Sequence, residues 1–283
     1  MKSRMRENRT SGSVRGSRQA FHVQKYSERS VETVYSTDFM QITAEEKLMY
    51  SAMKAIYDSG IPIDFKGSMV LKACLIEAGY HEEIRHTVDI DANWYSDSPP
   101  TAEQMTDSLQ KALEKAGIDL DVSLYRMYGE GRSAGFELSE GETGDVLFTM
   151  DIDVNRPAVQ TRIYEISDIR FRGVSVDQML ADKISAVSGD KIFRRVKDVV
   201  DLYYLSQVFP FHSADIKQIL KDNGRELGTF HGFLHRKSEL EHAYDKFRFA
   251  GDVNKPPFDD VYAAVKAYIR DILPRERHRD MER

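Results

Sequence analysis

Residues 87–94 read Thr-Val-Asp-Ile-Asp-Ala-Asn-Trp and alternate without a break, with Val88, Ile90 and Ala92 set against Asp89, Asp91 and Asn93. A period of two sends successive side chains to opposite faces of a strand, so this segment predicts a half-buried strand with an acidic face. The fold must therefore contain a sheet packed on a core by one side, with two carboxylates two residues apart on the other. Two such carboxylates repel each other unless a cation lies between them. Mg²⁺ favours oxygen ligands of this kind together with substrate phosphates.

Upstream, residues 61–65 are short and apolar, and Lys66-Gly67-Ser68 closes them before a helical run over residues 69–78 that stops at Gly79. The pattern predicts strand, tight turn, helix. Glycine at such a turn lets backbone N–H groups approach a phosphate, and a helix N-terminus favours the negative charge. Ser68 falls near the first turn, where its hydroxyl can cap the helix or touch a phosphate oxygen. Cys74, the single cysteine, sits among Val70, Leu71 and Leu75 and reads as a small core residue. One cysteine excludes an internal disulfide and suits a reducing cytoplasm.

The remaining elements follow from capping and periodicity. Thr43-Ala44-Glu45-Glu46 has the form of a capping box, Leu48, Met49, Met53 and Ile56 recur at helical spacing, and Gly60 ends the run. Thr101 with Glu103 opens a second helix that reaches Ala116 and stops at Gly117. Residues 122–128, 135–138, 146–154 and 161–166 read as strands, and Gly129, Gly131, Gly141 and Gly144 in the connections predict antiparallel hairpins. Asp151 and Asp153 lie on the polar side of 146–154. If that strand neighbours 87–94, three or four carboxylates converge, as a two-metal site requires. After about Gly173 the chain reads as helical, over residues 177–187, 194–208, 213–223, 238–247 and 258–273. An α/β sheet domain over residues 41–175 followed by a helical domain over 176–283 is expected, with a cleft between them.

Charge divides the chain unequally. The total over 283 residues is −6, yet residues 1–30 hold eight Lys or Arg against two Glu, a basic stretch of +6 on a body of −12. Residues 1–40 are accordingly expected to be an unstructured basic tail. The acidic total argues against a simple nucleic-acid-coating protein. No apolar run approaches membrane-spanning length and the first 30 residues lack an apolar signal core, so a soluble cytoplasmic protein is expected.

Phe65-Lys66-Gly67-Ser68 leading into a helix, followed by Arg85-His86-Thr87-Val88-Asp89-Ile90-Asp91, resembles the first motif of the nucleotidyltransferase fold, most closely the AbiEii/AbiGii toxins. A second block, Ala181-Asp182-Lys183-Ile184-Ser185-Ala186-Val187 and then Lys197-Asp198-Val199-Val200-Asp201-Leu202-Tyr203-Tyr204-Leu205, resembles the same family in the correct order. The likeness spans about residues 43–274. It implies a nucleotidyltransferase-fold mixed sheet followed by a helical C-terminal domain, and transfer of NMP from an NTP with Mg²⁺ or Mn²⁺. It also implies a toxin of a type IV-like toxin–antitoxin or abortive-infection pair, with a cognate antitoxin as partner and a tRNA end as acceptor. By that resemblance Gly67 and Ser68 hold phosphate, Asp89 and Asp91 ligate metal, Lys183 contacts the triphosphate, and Asp198 is a carboxylate needed for activity. Asp153 is the preferred third metal carboxylate, with Asp151 close behind. The linking stretch holds Lys191, Arg194 and Arg195, of which one supplies the triphosphate-binding arginine.

Bland readings stand beside these. Arg194 with Asp198, and Lys197 with Asp201, are four apart and can pair along a helix. His231, His235 and His242 have metal-compatible spacing but fit a solvated surface better. An antibiotic-modifying type of small-molecule nucleotidyltransferase and a non-catalytic nucleotide-binding regulator are the alternatives to RNA modification.

Overall fold

The computed structural model describes residues 42–98, 100–128, 133–154, 159–248 and 255–274, and the basic tail and the glycines at 129 and 131 lie outside them. Helix α1 (Ala44–Asp58) opens on the anticipated capping box, in which Glu46 N donates to Thr43 Oγ1 at 3.2 Å and Thr43 N to Glu46 Oε2 at 3.0 Å. Strand β1 (Ile63–Lys66) then passes with no intervening loop into α2 (Gly67–Glu77). All of α2 from Ser68 to Ile76 is buried, so this helix is central and not amphipathic.

Strand β2 (Asp89–Trp94) and helix α3 (Ala102–Lys115) precede β3 (Leu120–Tyr128), β4 (Ser133–Glu140), β5 (Val146–Val154), β6 (Thr161–Ile166) and β7 (Ile169–Val174). Helices α4 (Val176–Val187), α5 (Val196–Val208), α6 (Ser213–Asp222), α7 (His231–His235), α8 (Lys237–Lys246) and α9 (Phe258–Tyr268) complete the chain, with a 3₁₀ turn at Ile192–Arg194 before α5. The strands form one mixed sheet in the order β3-β4-β5-β2-β1-β7-β6. The hairpins β3–β4 and β4–β5 are antiparallel as expected, and β6–β7 and β1–β2 are antiparallel too. Parallel pairing of β2 with β5 and of β1 with β7 joins them into one sheet.

Register makes the sheet amphipathic. Phe65, Ala92, Ile152, Ala134 and Met127 stand side by side across β1, β2, β5, β4 and β3. One residue along, Lys66, Asp91, Asp151, Gly135 and Arg126 form the adjacent row, which by the strand period faces the other way. On the apolar face Tyr50 of α1 stacks on Phe171, with centroids 5.9 Å apart, and Phe171 meets Phe65 edge-on at 5.9 Å. Val70 of α2 packs against Gly173, where an added Cβ would lie 3.0 Å from Val70 Cγ2. Each large apolar side chain removed from water here contributes about 1.5–3 kcal/mol. The hydrophobic cluster is continuous from Ile42 to Ile272, so the sheet and the later helices share one core.

Two local readings need correction. Strand β7 was not anticipated; it follows β6 through the two-residue link Ser167-Asp168, with Ser167 at φ 55°. Helix α3 opens at Thr101 with Glu103 in its first turn as expected, and Gln104 closes a capping box there, its side chain accepting from Thr101 N at 2.9 Å. Val88 precedes β2 and is 65% exposed, so it does not join the inward row.

Candidate active site

The turn between β1 and α2 is shaped around Asp91. Gly67 has φ +72°, and a Cβ built on it would lie 2.2 Å from Asp91 Oδ2, so only glycine lets the backbone pass here. Lys66 occupies the N-cap position of α2 and makes no side-chain cap bond. Its side chain instead crosses the polar face, donating to Asp153 Oδ2 at 2.6 Å and to Asn93 Oδ1 at 2.7 Å.

The four aspartates named from the sequence all come to this face, and register tells them apart. Parallel pairing sets Asp91 beside Asp151, Asn93 beside Asp153 and Asp89 beside Thr149. Asp89 accepts from Thr87 Oγ1 at 2.5 Å and faces the Lys197 ammonium at 3.7 Å. Arg126 of β3 pairs with Asp151, and the Tyr125 hydroxyl lies 3.5 Å from the same carboxylate. Asp153 is held by Lys66 and by the Ser133 hydroxyl at 2.7 Å. Burial, then the charges of Asp89 and Asp151, push the Asp91 carboxyl above its ordinary range despite Lys197 and Lys66. Among the described residues no three His, Cys, Asp or Glu side chains are grouped closely enough to hold a metal ion as they stand. Lys66, Arg126 and Lys197 partner three of the four carboxylates, while the half-buried Asp91 lies against the Gly67 backbone. The donor set suits a hard divalent cation: all-oxygen, mutually repelling and open to a glycine turn.

A second ionic group lies beneath. Asp201 is fully buried on α5 and accepts from Arg85 Nε at 2.9 Å, Arg85 Nη2 at 2.7 Å and Lys183 Nζ at 2.6 Å. Arg85 Nη2 also donates to Ser68 Oγ at 2.8 Å, tying the start of α2 to α5. Burial opposes the Asp201 charge, but Arg85 and Lys183 outweigh it and lower the pKa. Burial likewise opposes the Lys183 ammonium, and Asp201 with Asp198 outweighs it, so that pKa is raised. Asp198 lies 3.7 Å from Lys183 and 3.8 Å from Arg195, and burial raises its pKa.

The helix-surface pairing considered for these residues is therefore not what forms. Asp201 bonds to Arg85 and Lys183, and Lys197 turns to Asp89. Lys183, which the family resemblance assigns to the triphosphate, points into this buried group. Arg194 and Arg195 are exposed beside the 3₁₀ turn. His231, His235 and His242 are exposed on α7 and α8, away from the carboxylates in the chain's last third.

Glu46, Lys66 and Arg126 escaped the sequence reading. Glu46 is buried; beyond its cap it takes Lys72 Nζ at 2.6 Å and faces His86 Nδ1 at 3.2 Å. Its Oε1 also accepts from Thr87 N at 3.4 Å. Arg85 and Thr87 are thus gripped from opposite sides just before Asp89. A glutamate spent on a capping box gives no sequence signal of this second task.

The Gly67 turn thus meets the aspartate row at Asp91, and Ser68 beside it is tied through Arg85 to Asp201 and Lys183. The chain belongs to the AbiEii family of nucleotidyltransferase toxins: the family described as nucleotidyl transferase AbiEii toxin, Type IV TA system, matches residues 55–266. Membership brings an NTP substrate, a divalent metal and a cognate antitoxin. Two solved structures align at low identity. MenT4, a nucleotidyltransferase toxin from Mycobacterium tuberculosis H37Rv, is 12% identical with a TM-score of 0.45, over 87% of this chain and 100% of its own. An antigenic nucleotidyltransferase-like protein from Paracoccidioides brasiliensis is 16% identical with a TM-score of 0.44, over 71% and 93%. At such scores the assignment rests on the family match. No curated protein sequence matches the chain. No described helix is long and apolar enough to cross a membrane.

Proposed function

We propose that the protein transfers NMP from an NTP to the 3′ end of an RNA, a tRNA end being the acceptor, and that it acts in the cytoplasm. The acceptor hydroxyl oxygen bonds to the α-phosphorus, the bond from that phosphorus to the bridging oxygen breaks, and pyrophosphate leaves. The observation that carries this reading is the approach of the Gly67 backbone to Asp91, which brings a helix N-terminus and a carboxylate row to one point.

Asp89, Asp91 and Asp151 would hold the divalent ion, Mg²⁺ or Mn²⁺. Asp151 is preferred to Asp153 because it is the register partner of Asp91, whereas Asp153 stands beside Asn93; each of the two carries a cationic partner, Arg126 and Lys66. Such an ion, when bound, supplies charge stabilisation to the phosphates. Gly67 offers its backbone to the triphosphate. Ser68, whose oxygen already accepts from Arg85, is left with its own hydrogen to donate. Arg194 and Arg195 supply exposed cations on the approach, and Lys183 with Asp198 fixes the first turn of α5. Asp153 stands beside the row as the candidate base for the acceptor hydroxyl.

Purified protein incubated with α-³²P-NTP, Mg²⁺ and bulk RNA should label the RNA, and Asp89→Ala should not. Label passing only to small molecules would transfer the assignment to the antibiotic-modifying class. No label in either fraction would overturn it.

A further inference from the structure

Strand β3 is the sheet edge, and its two halves differ. Leu120 and Val122 are buried beneath α3, whose Gln110 bonds to the Leu120 carbonyl at 3.2 Å and receives Val122 N at 2.8 Å. Beyond that cover the strand continues as Leu124, Tyr125, Arg126, Met127 and Tyr128, and the first four are 40%, 39%, 49% and 55% exposed, the arginine by its side chain. Large apolar and aromatic side chains along an unpaired edge mark a place that meets something.

Local geometry directs the aromatic part of this edge to the carboxylates. Register pairs Leu124 with Phe136 and Arg126 with Gly135, so Tyr125 is an extra, bulged residue. A bulge of this type re-aims side chains, and here Tyr125 and Arg126 reach the polar face together. Gly135 makes room for them: a Cβ there would lie 2.6 Å from Tyr125 Cε1, 2.9 Å from Arg126 Cγ and 2.8 Å from Asp151 Oδ1. Tyr128 follows in the next polar row, opposite Ser133 and in line with Asp153. The Arg126 guanidinium lies 4.9 Å from the Tyr125 ring centroid and 5.2 Å from that of Tyr128. Two rings and a planar cation therefore stand together at the edge of the carboxylate row.

We infer that Tyr125, Arg126 and Tyr128 form a stacking platform for the terminal base of a single-stranded RNA acceptor. The inference rests on the RNA-end reading above and names the surface that holds that end. Bases splayed from single-stranded RNA stack on tyrosine rings and on guanidinium planes, and every base has a face to offer. The charge is complementary: the platform carries Arg126, while Lys197, Arg194 and Arg195 on α5 and its preceding turn can meet backbone phosphates. The Tyr125 hydroxyl lies 3.5 Å from Asp151 Oδ1, so a base stacked on that ring is held beside the carboxylate row.

The test uses the full chain, α-³²P-NTP, Mg²⁺ and a single-stranded RNA ending in 4-thiouridine. Irradiation of the wild-type complex should cross-link the terminal base to Tyr125 or Tyr128. The Tyr125→Ala/Tyr128→Ala variant should raise the KM for RNA by roughly 5- to 100-fold. Its KM for NTP should stay within about twofold, and Tyr125→Phe/Tyr128→Phe should keep the wild-type value because the rings remain. Cross-links confined to other segments, an unchanged RNA KM in the alanine variant, or equal losses in the phenylalanine variant would overturn the platform while RNA labelling by the wild type still upholds the acceptor. Self-association through β3 that the alanine variant dissolves would also overturn it. A wild type that labels no RNA sinks the acceptor reading itself.

Discussion

Two groups of charged residues both draw on α5, through Lys197 and Asp201, and are built on opposite principles. Asp201 is fully buried and answered by Arg85 and Lys183, so its charge is settled by the protein alone. Asp91 is half-buried, and that burial, followed by the charges of Asp89 and Asp151, raises its pKa. The first group is a closed account of opposite charges that fastens α5 to the loop before β2. The second is left with excess negative charge at the glycine turn, and that excess is what a cationic ligand can satisfy. One residue type, aspartate, thus serves structure in one place and chemistry in the other, and partners decide which.

The largest expected effect separates the two directly. Asp91→Asn should lower nucleotidyl transfer by at least about 10²–10³-fold, the scale seen when one group aimed at the reacting charge is lost. Its thermal midpoint in metal-free buffer should not fall. A carboxyl whose pKa is raised by folding opposes the folded state when ionised, and asparagine removes that charge. Mg²⁺ with NTP should stabilise the wild type, by about 2.7 kcal/mol at a hundredfold excess over Kd, and so raise its midpoint while leaving the variant's unmoved. An Asp91→Asn protein that unfolds on purification would show that both groups are structural.

Asp201→Asn should do the reverse. Removing one member of a buried, bonded ion group costs about 3–5 kcal/mol, a fall in Tm on the order of 10 °C for a chain of this size. The sign with pH follows from the lowered pKa of Asp201. Its stabilisation is fully present above the ordinary carboxylate range and is lost as pH falls through the lower folded value. Wild-type urea midpoints should therefore drop more steeply below about pH 4 than those of Asp201→Asn. Parallel acid limbs for the two proteins would show that Asp201 carries no such linkage.

What could be read in advance divides along sequence distance. The capping box at Thr43, the stops at Gly60 and Gly79, and the alternation around Asp89 and Asp91 are local, and each has its expected place. The match of Gly67 and the Asp-x-Asp strand was legible because their spacing and order are themselves local. Strand β7 was missed although Ile169 and Phe171 alternate with Arg170 and Arg172, because Ser167-Asp168 lacks the glycine or asparagine that marks a tight hairpin. Arg85 meets Asp201 116 residues on, and Lys66 meets Asp153 across 87. Periodicity carries no information at such range. The parallel register that sets Asp91 beside Asp151 belongs to the same class, and it is what favours Asp151 over Asp153 in the proposed metal set.

The smallest expected effect concerns the residue that joins the two groups. Lys197 sits on α5, one residue before Asp198, and faces Asp89 at 3.7 Å with both side chains about two-fifths exposed, 40% and 38%. Exposed pairs at this separation contribute at most about 1 kcal/mol and weaken in salt. Lys197→Met should therefore shift Tm by no more than a few degrees, far less than Asp201→Asn. Its influence should appear in substrate binding, since a lysine beside the carboxylate row attracts the NTP anion before the ion pair with Asp89 is remade. The expected result is a rise in the KM for NTP that shrinks as KCl is raised from 50 to about 300 mM, where the Debye length falls below roughly 8 Å. A KM rise of the same size at every salt concentration would mean that Lys197 acts by short contact with the triphosphate, and would place it with the glycine turn and not between the two groups.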